Sequence, residues 1–288
     1  MSMIDELQLD HVVINVRDDM DYAEGVFSEL GFNITPRGYH TLGSINHLMI
    51  FGSDYLELIG FPVGGVVTGK NTRADLTTAP VGINGLVFKC ANVDKTYKKL
   101  CELNMDGDPP KAFSRPVELD GKIQDAKFRT VSVRSDVFPE GRVYFCEHGT
   151  PELVWRDDWQ VHENKIRAVS EVVIIAKEAA STADNYGRLV NAAAIEKADG
   201  TLTVNTGDVR LTVCSLDQYD LRYGSLGSKL GDRSALFGAL VFQTEDQIAN
   251  FPYENLNTGD FLAERHPDRL VVRLPRYDSV LEFVGLNV

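Results

Sequence analysis

The sequence predicts an α+β chain of four βαβββ units, paired into two open-barrel domains whose concave faces form cups. Three observations carry this. Four short segments rich in β-branched or aromatic residues resemble one another: His11-Val-Val-Ile-Asn-Val16, Gly85-Leu-Val-Phe-Lys-Cys90, Glu171-Val-Val-Ile-Ile-Ala176 and Ala239-Leu-Val-Phe-Gln-Thr244. Each precedes a stretch with helical spacing of apolar residues, and then short runs that read as strands. The first segment matches the third best and the second matches the fourth, so the duplicated unit is about half the chain.

Taken in order, the first strand is followed by Asp18 to Leu30, where Tyr22, Val26, Phe27 and Leu30 fall on one helical face. Gly31 then supplies a residue that tolerates a left-handed exit. Comparable helices are expected over Val93 to Leu103, Glu178 to Asn191 and Asp246 to Leu256. The strands that follow are His47 to Phe51 and Tyr55 to Ile59, then Phe128 to Val133 and Val143 to Glu147. In the second half they are Thr201 to Asn205 and Val209 to Cys214, then Leu270 to Leu274 and Val280 to Val284. A third strand per unit is inferred rather than seen. The insert Asn104 to Lys127, with Pro109, Pro110 and Pro116, reads as a structured loop near a cup rim. Polar residues dilute the apolar pattern between Arg156 and Arg167, which places the linker there and the domains at 1–160 and 161–288.

Composition bounds the function classes. A formal net charge of −13 argues against nucleic acid or an anionic membrane as partner, since both require clustered Lys and Arg. No apolar run approaches the roughly 20 residues that span a bilayer, and the acidic amino terminus lacks a signal-peptide pattern. Cys90, Cys101, Cys146 and Cys214 form no CxxC pair, as expected of reduced thiols in a cytoplasmic protein. The expected partner is a small-molecule substrate, with a homodimer as the oligomeric state to test. No nucleophile elbow, phosphate loop or dinucleotide fingerprint is present.

Strand alternation assigns faces. Val12, Ile14 and Val16 form an apolar row suited to a helix, which leaves His11, Val13 and Asn15 for the cup. By the same parity, Tyr55, Glu57 and Ile59 face the cup, as do Tyr144, Cys146 and His148. Convergence of His11, Glu57 and His148 would give two imidazoles and a carboxylate, a set that leaves open positions on an octahedral metal such as iron(II) or manganese(II). The plainer alternatives are a structural, hydrogen-bonded His11 and a Glu57 paired with a cation. The second cup has only acids, Glu171 and Glu282, which makes it a poor metal site and marks that half as the degenerate copy. His40 and Asn46 flank the turn Gly43-Ser44, and Trp155 and Arg156 follow the last strand of the first domain. All four are candidates to bind substrate.

These segments resemble the vicinal oxygen chelate superfamily, the glyoxalase, bleomycin-resistance and extradiol-dioxygenase group, and within it the glyoxalase-like proteins. The residues that carry the resemblance are Asp10-His-Val-Val-Ile-Asn-Val16, Leu30-Gly-Phe32, Gly38-Tyr-His40, Gly43-Ser-Ile-Asn46, Tyr55-Leu-Glu-Leu-Ile-Gly60 and Glu147-His-Gly-Thr-Pro-Glu152. Trp155 and His162-Glu-Asn164 extend it. The resemblance implies a divalent metal (iron, manganese, zinc or nickel), with His11 and Glu57 as ligands and Glu57 also as catalytic base. It implies a metal-dependent glyoxalase or dioxygenase type of reaction on a small oxygen-rich substrate. Two departures matter. The second first-strand His of the superfamily falls at Gly85 here, and the carboxy-terminal half has Glu171 and Ala239 at the His positions, which counts against ring cleavage. A non-catalytic small-molecule binding protein of the same fold is the alternative.

Overall fold

Two eight-stranded mixed sheets organise the chain in the computed structural model, which describes residues 7–63, 74–119, 121–246, 248 and 258–285. The first sheet takes β1 (Leu9–Arg17), β2 (Gly38–Tyr39), β3 (Ile45–Ile50), β4 (Tyr55–Gly60), β5 (Gly82–Lys89), β6 (Lys111–Leu119), β7 (Lys122–Ser132) and β8 (Arg142–His148). Its order is β2-β3-β4-β1-β5-β8-β7-β6. The helices are α1 (Met20–Glu29), a short α2 (Ala74–Thr78) and α3 (Val93–Leu103). Each βαβββ unit contributes one parallel pair, β1 with β4 and β5 with β8, because the helical crossover returns the chain in the same direction. The sheet's two ends meet where Thr41 N donates to Ser114 O at 3.0 Å, which nearly closes the barrel.

The second sheet repeats this order with β9 (Ile166–Ala176), β10 (Ile195–Glu196), β11 (Leu202–Asn205), β12 (Arg210–Cys214), β13 (Ala235–Thr244), β14 (Leu262–Arg265), β15 (Arg269–Leu274) and β16 (Ser279–Gly285). Its helices are α4 (Ala179–Val190) and α5 (Leu216–Tyr223). The chain is therefore α+β with two glyoxalase-like domains, as the fourfold repeat predicts. The third strand of each unit is now visible in β2, β6, β10 and β14. The insert over 104–127 is mostly strand rather than loop, since β6 and β7 form a hairpin within it. Pro116 is tolerated because β6 is an edge strand and needs fewer ladder donors. The helix expected over Asp246 to Leu256 lies largely outside the described residues.

Strand parity decides where the core sits. Val12, Ile14 and Val16 of β1 share one apolar cluster with Val172 and Ile174 of β9, and with Phe242 and Phe283. The helix-side faces of both sheets thus bury into a common core. The concave faces keep separate clusters, one containing Val13, Tyr55 and Ile59, the other Val173, Ile175 and Val241. Polar contacts stitch the halves together. Val169 N donates to Asp54 at 3.0 Å, Leu9 N to Asp208 at 3.0 Å, and the His162 imidazole bridges Asn33 N and Ile50 O. Between β8 and β9 the chain makes only two short 3₁₀ turns.

Candidate active site in the first cup

The site is built on neighbouring strands. β1 and β4 run parallel with Val13 opposite Glu57, so His11 and Glu57 point into the same cup from adjacent strands. His11 Nε2 stands 3.5 Å from Glu57 Oε2 and 3.3 Å from the Tyr144 hydroxyl. The ring stacks on Tyr55 with centroids 4.4 Å apart, which fixes its plane.

A pairing irregularity between Leu9 and His11 lies beside this residue. Bulges of this kind re-aim side chains, and here the buried Asp10 carboxylate reaches two imidazoles at once. His11 Nδ1 lies 2.6 Å from Asp10 Oδ1, and His148 Nε2 lies 2.9 Å from Asp10 Oδ2. Burial alone would raise the Asp10 carboxyl, but the hydrogen bonds from His11 and His148 outweigh it and hold the group well below the usual carboxylate range. With Asp10 ionised, His11 Nδ1 carries a proton and donates it, and in the neutral ring Nε2 then offers its lone pair to the cup.

Glu57 is oriented from its other side. Asn46 Nδ2 donates to Glu57 Oε1 at 2.6 Å, leaving Oε2 toward His11. Asn46 also lies 3.4 Å from His40 Nε2, and His40 Nδ1 meets Ser44 Oγ at 2.9 Å. The cavity beside these groups measures about 40 Å³ and is lined by His11, His40, Asn46, Glu57, Arg115 and Tyr144, with Phe113, Phe128 and Cys146 on its walls.

The remaining predicted site residues lie elsewhere. His148 is turned onto Asp10 and packed between Phe128 and Trp155, and it does not line the cavity. Trp155 packs against Tyr55 and His148 at the edge of the concave-face cluster, while Arg156 pairs with Asp158 and stacks on Trp159; neither lines the cavity. Two residues absent from the sequence-level set are central here. Strict alternation points Asp10 away from His11, and the proline-bearing segment of Arg115 carries no strand signal in the sequence, so neither shows there. Gly85 shows why no second first-strand ligand is present: a Cβ there would lie 3.0 Å from Val13 Cβ, so any larger side chain would have to push Val13 aside.

The second cup is partly covered by the protein itself, which leaves a cavity of about 270 Å³ lined by Glu171, Arg210, Arg222, Lys197 and Asp199. Ser215 caps α5 through a reciprocal capping box with Gln218, and the helix lays Tyr219 and Tyr223 against the concave face. Arg222 from the same helix bridges Glu171 at 3.0 Å and Glu282 at 2.9 Å, while Arg210 and Arg269 add further contacts to the same two acids. These acids neutralise arginines rather than offering themselves to an ion.

The glyoxalase-like domain model matches residues 9–190, close to two thirds of the chain and including both units of the first sheet. The chain belongs to the glyoxalase-like domain family. With the solved folds below, it sits in the vicinal oxygen chelate superfamily. A hypothetical protein from Staphylococcus aureus superposes with a TM-score of 0.64 at 12% identity, covering 97% of this chain and 100% of that one. A substituted 4-hydroxymandelate synthase from Streptomyces coelicolor gives 0.58 at 15% identity over 97% and 92%. A xylose isomerase-like TIM barrel/4-hydroxyphenylpyruvate dioxygenase fusion protein gives 0.58 at 12% identity, over 99% of this chain and half of its own. At these identities the likeness is one of fold. No curated protein sequence matches the chain.

The donor set in the first cup fits a divalent ion held at two protein atoms. Two donors each roughly 2.1 Å from one ion lie about 3.0–3.5 Å apart, and the His11–Glu57 separation falls at the upper end of that range. A ligating imidazole that donates its other N–H to a carboxylate is the usual outer-shell arrangement, and Asp10 supplies it. A second cluster, Asp10, Cys146 and His148, fits less well. Both Asp10 oxygens are already engaged, and burial beside Asp10 pushes the Cys146 thiol far up, away from the thiolate that binds metals.

Proposed function

We propose that the first cup is the active site of a metal-dependent enzyme of the glyoxalase or dioxygenase type, acting on a small oxygen-rich substrate. The observation that carries this reading is the His11–Glu57 pair, 3.5 Å apart, with the imidazole oriented from behind by a buried carboxylate. His11 and Glu57 would hold a divalent metal, which would supply Lewis acidity toward substrate oxygens. Asp10 keeps the proton on His11 Nδ1, so that Nε2 is available to the cup. Asn46 holds Glu57 Oε1, which leaves Oε2 facing His11 as the carboxylate oxygen that would join Nε2 as a ligand. Tyr144, 3.3 Å from His11 Nε2, can donate its hydroxyl proton to a substrate oxygen. Phe113 and Phe128 give the cavity apolar walls, beside which these polar contacts are stronger than in open water.

Metal analysis of protein purified without a metal-affinity step tests the reading. One equivalent of a divalent metal, lost in Glu57→Gln with the fold retained, is the expected result. Metal-free protein that does not take up iron, manganese, zinc or nickel on titration would overturn it. In that case the small cavity and its polar lining support a metal-free binding protein of the same fold.

A further inference from the structure

Arg115 has no role in the chemistry above, and its surroundings are unusual for a charged side chain. It projects from β6, is 3% exposed, and lines the same cavity as His11 and Glu57. Its Nε and Nη2 atoms are buried without a hydrogen-bond partner, and among the described residues no carboxylate comes within ion-pair distance. Leaving a buried guanidinium unpaired is costly, and proteins normally satisfy such groups with an acid or with carbonyls. The neighbouring carboxylate of Glu57 is committed to Asn46 and His11 instead.

The slot that holds Arg115 is built for it. A Cβ on Gly38 would lie 2.4 Å from Arg115 Cδ and 2.7 Å from Nη1. Only glycine at that point of β2 lets the guanidinium lie across the strand and into the cup. The two unpartnered atoms also belong together. Nε and Nη2 form one edge of the guanidinium, closed to solvent as the cavity stands, so a carboxylate pairs with both N–H groups once the guanidinium turns that edge toward the cup. We propose that Arg115 is the anchor for the carboxylate of a compact organic acid, which the cup holds with its oxygen-bearing carbon toward His11 and Glu57. This rests on the reading of the first cup as the substrate site, and it adds the substrate class. A space of about 40 Å³ takes only about three waters' volume, so the part of the acid held inside the cavity is small. The stacked Phe113 and Phe128, with centroids 5.3 Å apart, contact its carbon chain.

Calorimetric titration of the 288-residue chain with acetate, propionate and lactate, and with the neutral amide of lactate, tests the assignment. Saturable binding of at least one acid is expected, with the amide weaker by about 30-fold or more, in line with a lost bidentate charged contact. Arg115→Met should lose acid binding by the same factor, and Arg115→Lys, which keeps charge but not the fork, by about 10-fold. Because Arg115→Met removes an unpartnered buried charge, its melting temperature without ligand should equal or exceed that of the unsubstituted protein. A folded Arg115→Met protein that binds the acids unchanged, or inorganic phosphate binding more tightly than every acid, would overturn the proposal, as would the absence of binding by all three acids. Metal content, measured on the same samples, separates the two readings. Metal retained in Arg115→Met with acid binding lost supports both, whereas acid binding by protein that takes up no divalent metal on titration supports the anchor and removes the metal.

Discussion

At His11, the two ring nitrogens answer to different neighbours: Nδ1 to the buried Asp10, Nε2 to the cup. The first residue-scale prediction follows from this division. Asp10→Asn keeps the shape but weakens the acceptor, and it should lower divalent-metal affinity about 10–100-fold, the usual cost of losing an outer-shell carboxylate. A chelator competition assay on the folded variant measures it, and unchanged affinity would show that Asp10 is merely structural. His11 itself is a poorer target, because it stacks on Tyr55 and its removal would strip one partner from Asp10. Glu57→Gln is cleaner. It retains the volume and the Asn46 contact, so metal should be lost with a melting temperature within a few degrees of the parent. Of the site residues, His11, Glu57, His40 and Asn46 were readable from strand parity and turn position, since each lies on or beside a regular strand. Asp10 was not, because a bulge breaks the alternation on which such readings rest.

Among the elements, α5 sets the two cups apart. It follows β12 at the position where the described residues of the first half show the five-residue α2, and it delivers Arg222 onto Glu171 and Glu282. Glu171→Ala should therefore destabilise the fold by about 2–3 kcal/mol, below the roughly 3–5 kcal/mol of a fully buried pair because Arg210 and Arg222 retain some solvent. Denaturant midpoints measure this, and metal content should not move. The same network predicts an acid dependence. Burial raises the Glu171 carboxyl, but Arg222 and Arg210 more than offset it and hold it at about 2. A carboxyl lowered on folding contributes stability above its unfolded value, and that contribution is lost as pH falls from about 4.5 through about 2. Glu140, between the domains, runs the other way. Burial pushes it up to about 7, outweighing the hydrogen bond it accepts from the Tyr186 hydroxyl. The native state then holds a proton that the unfolded chain has released, so stability declines as pH rises from about 4.5 through about 7. Glu140→Gln should remove that decline, raising the melting temperature at pH 8 relative to the parent while leaving it nearly unchanged at pH 4. An identical pH profile for the two proteins would refute the assignment.

For the whole molecule, the shared core makes the two halves one folding unit. The helix-side faces of both sheets contribute to a single apolar cluster, and Phe32 of the first half meets Phe242 and Phe283 of the second. Calorimetry should show one cooperative unfolding transition rather than two, and a fragment ending near residue 160 should expose that face and aggregate. Two resolved transitions would mean that the common core contributes less than its extent implies. The sequence by itself determined the repeat, the α+β class, the strand faces, and the poverty of ligands in the second cup. Those are local properties, written in the period-two alternation of each strand and in the residue types it carries. Only the tertiary structure decided that His148 belongs to Asp10, that α5 sets Arg222 on the acids of the second cup, and that Arg115 lies beside the first without a carboxylate partner. Each depends on which distant segments meet in space. A bulge, an added helix or an edge strand changes those meetings without leaving a periodic mark in the chain.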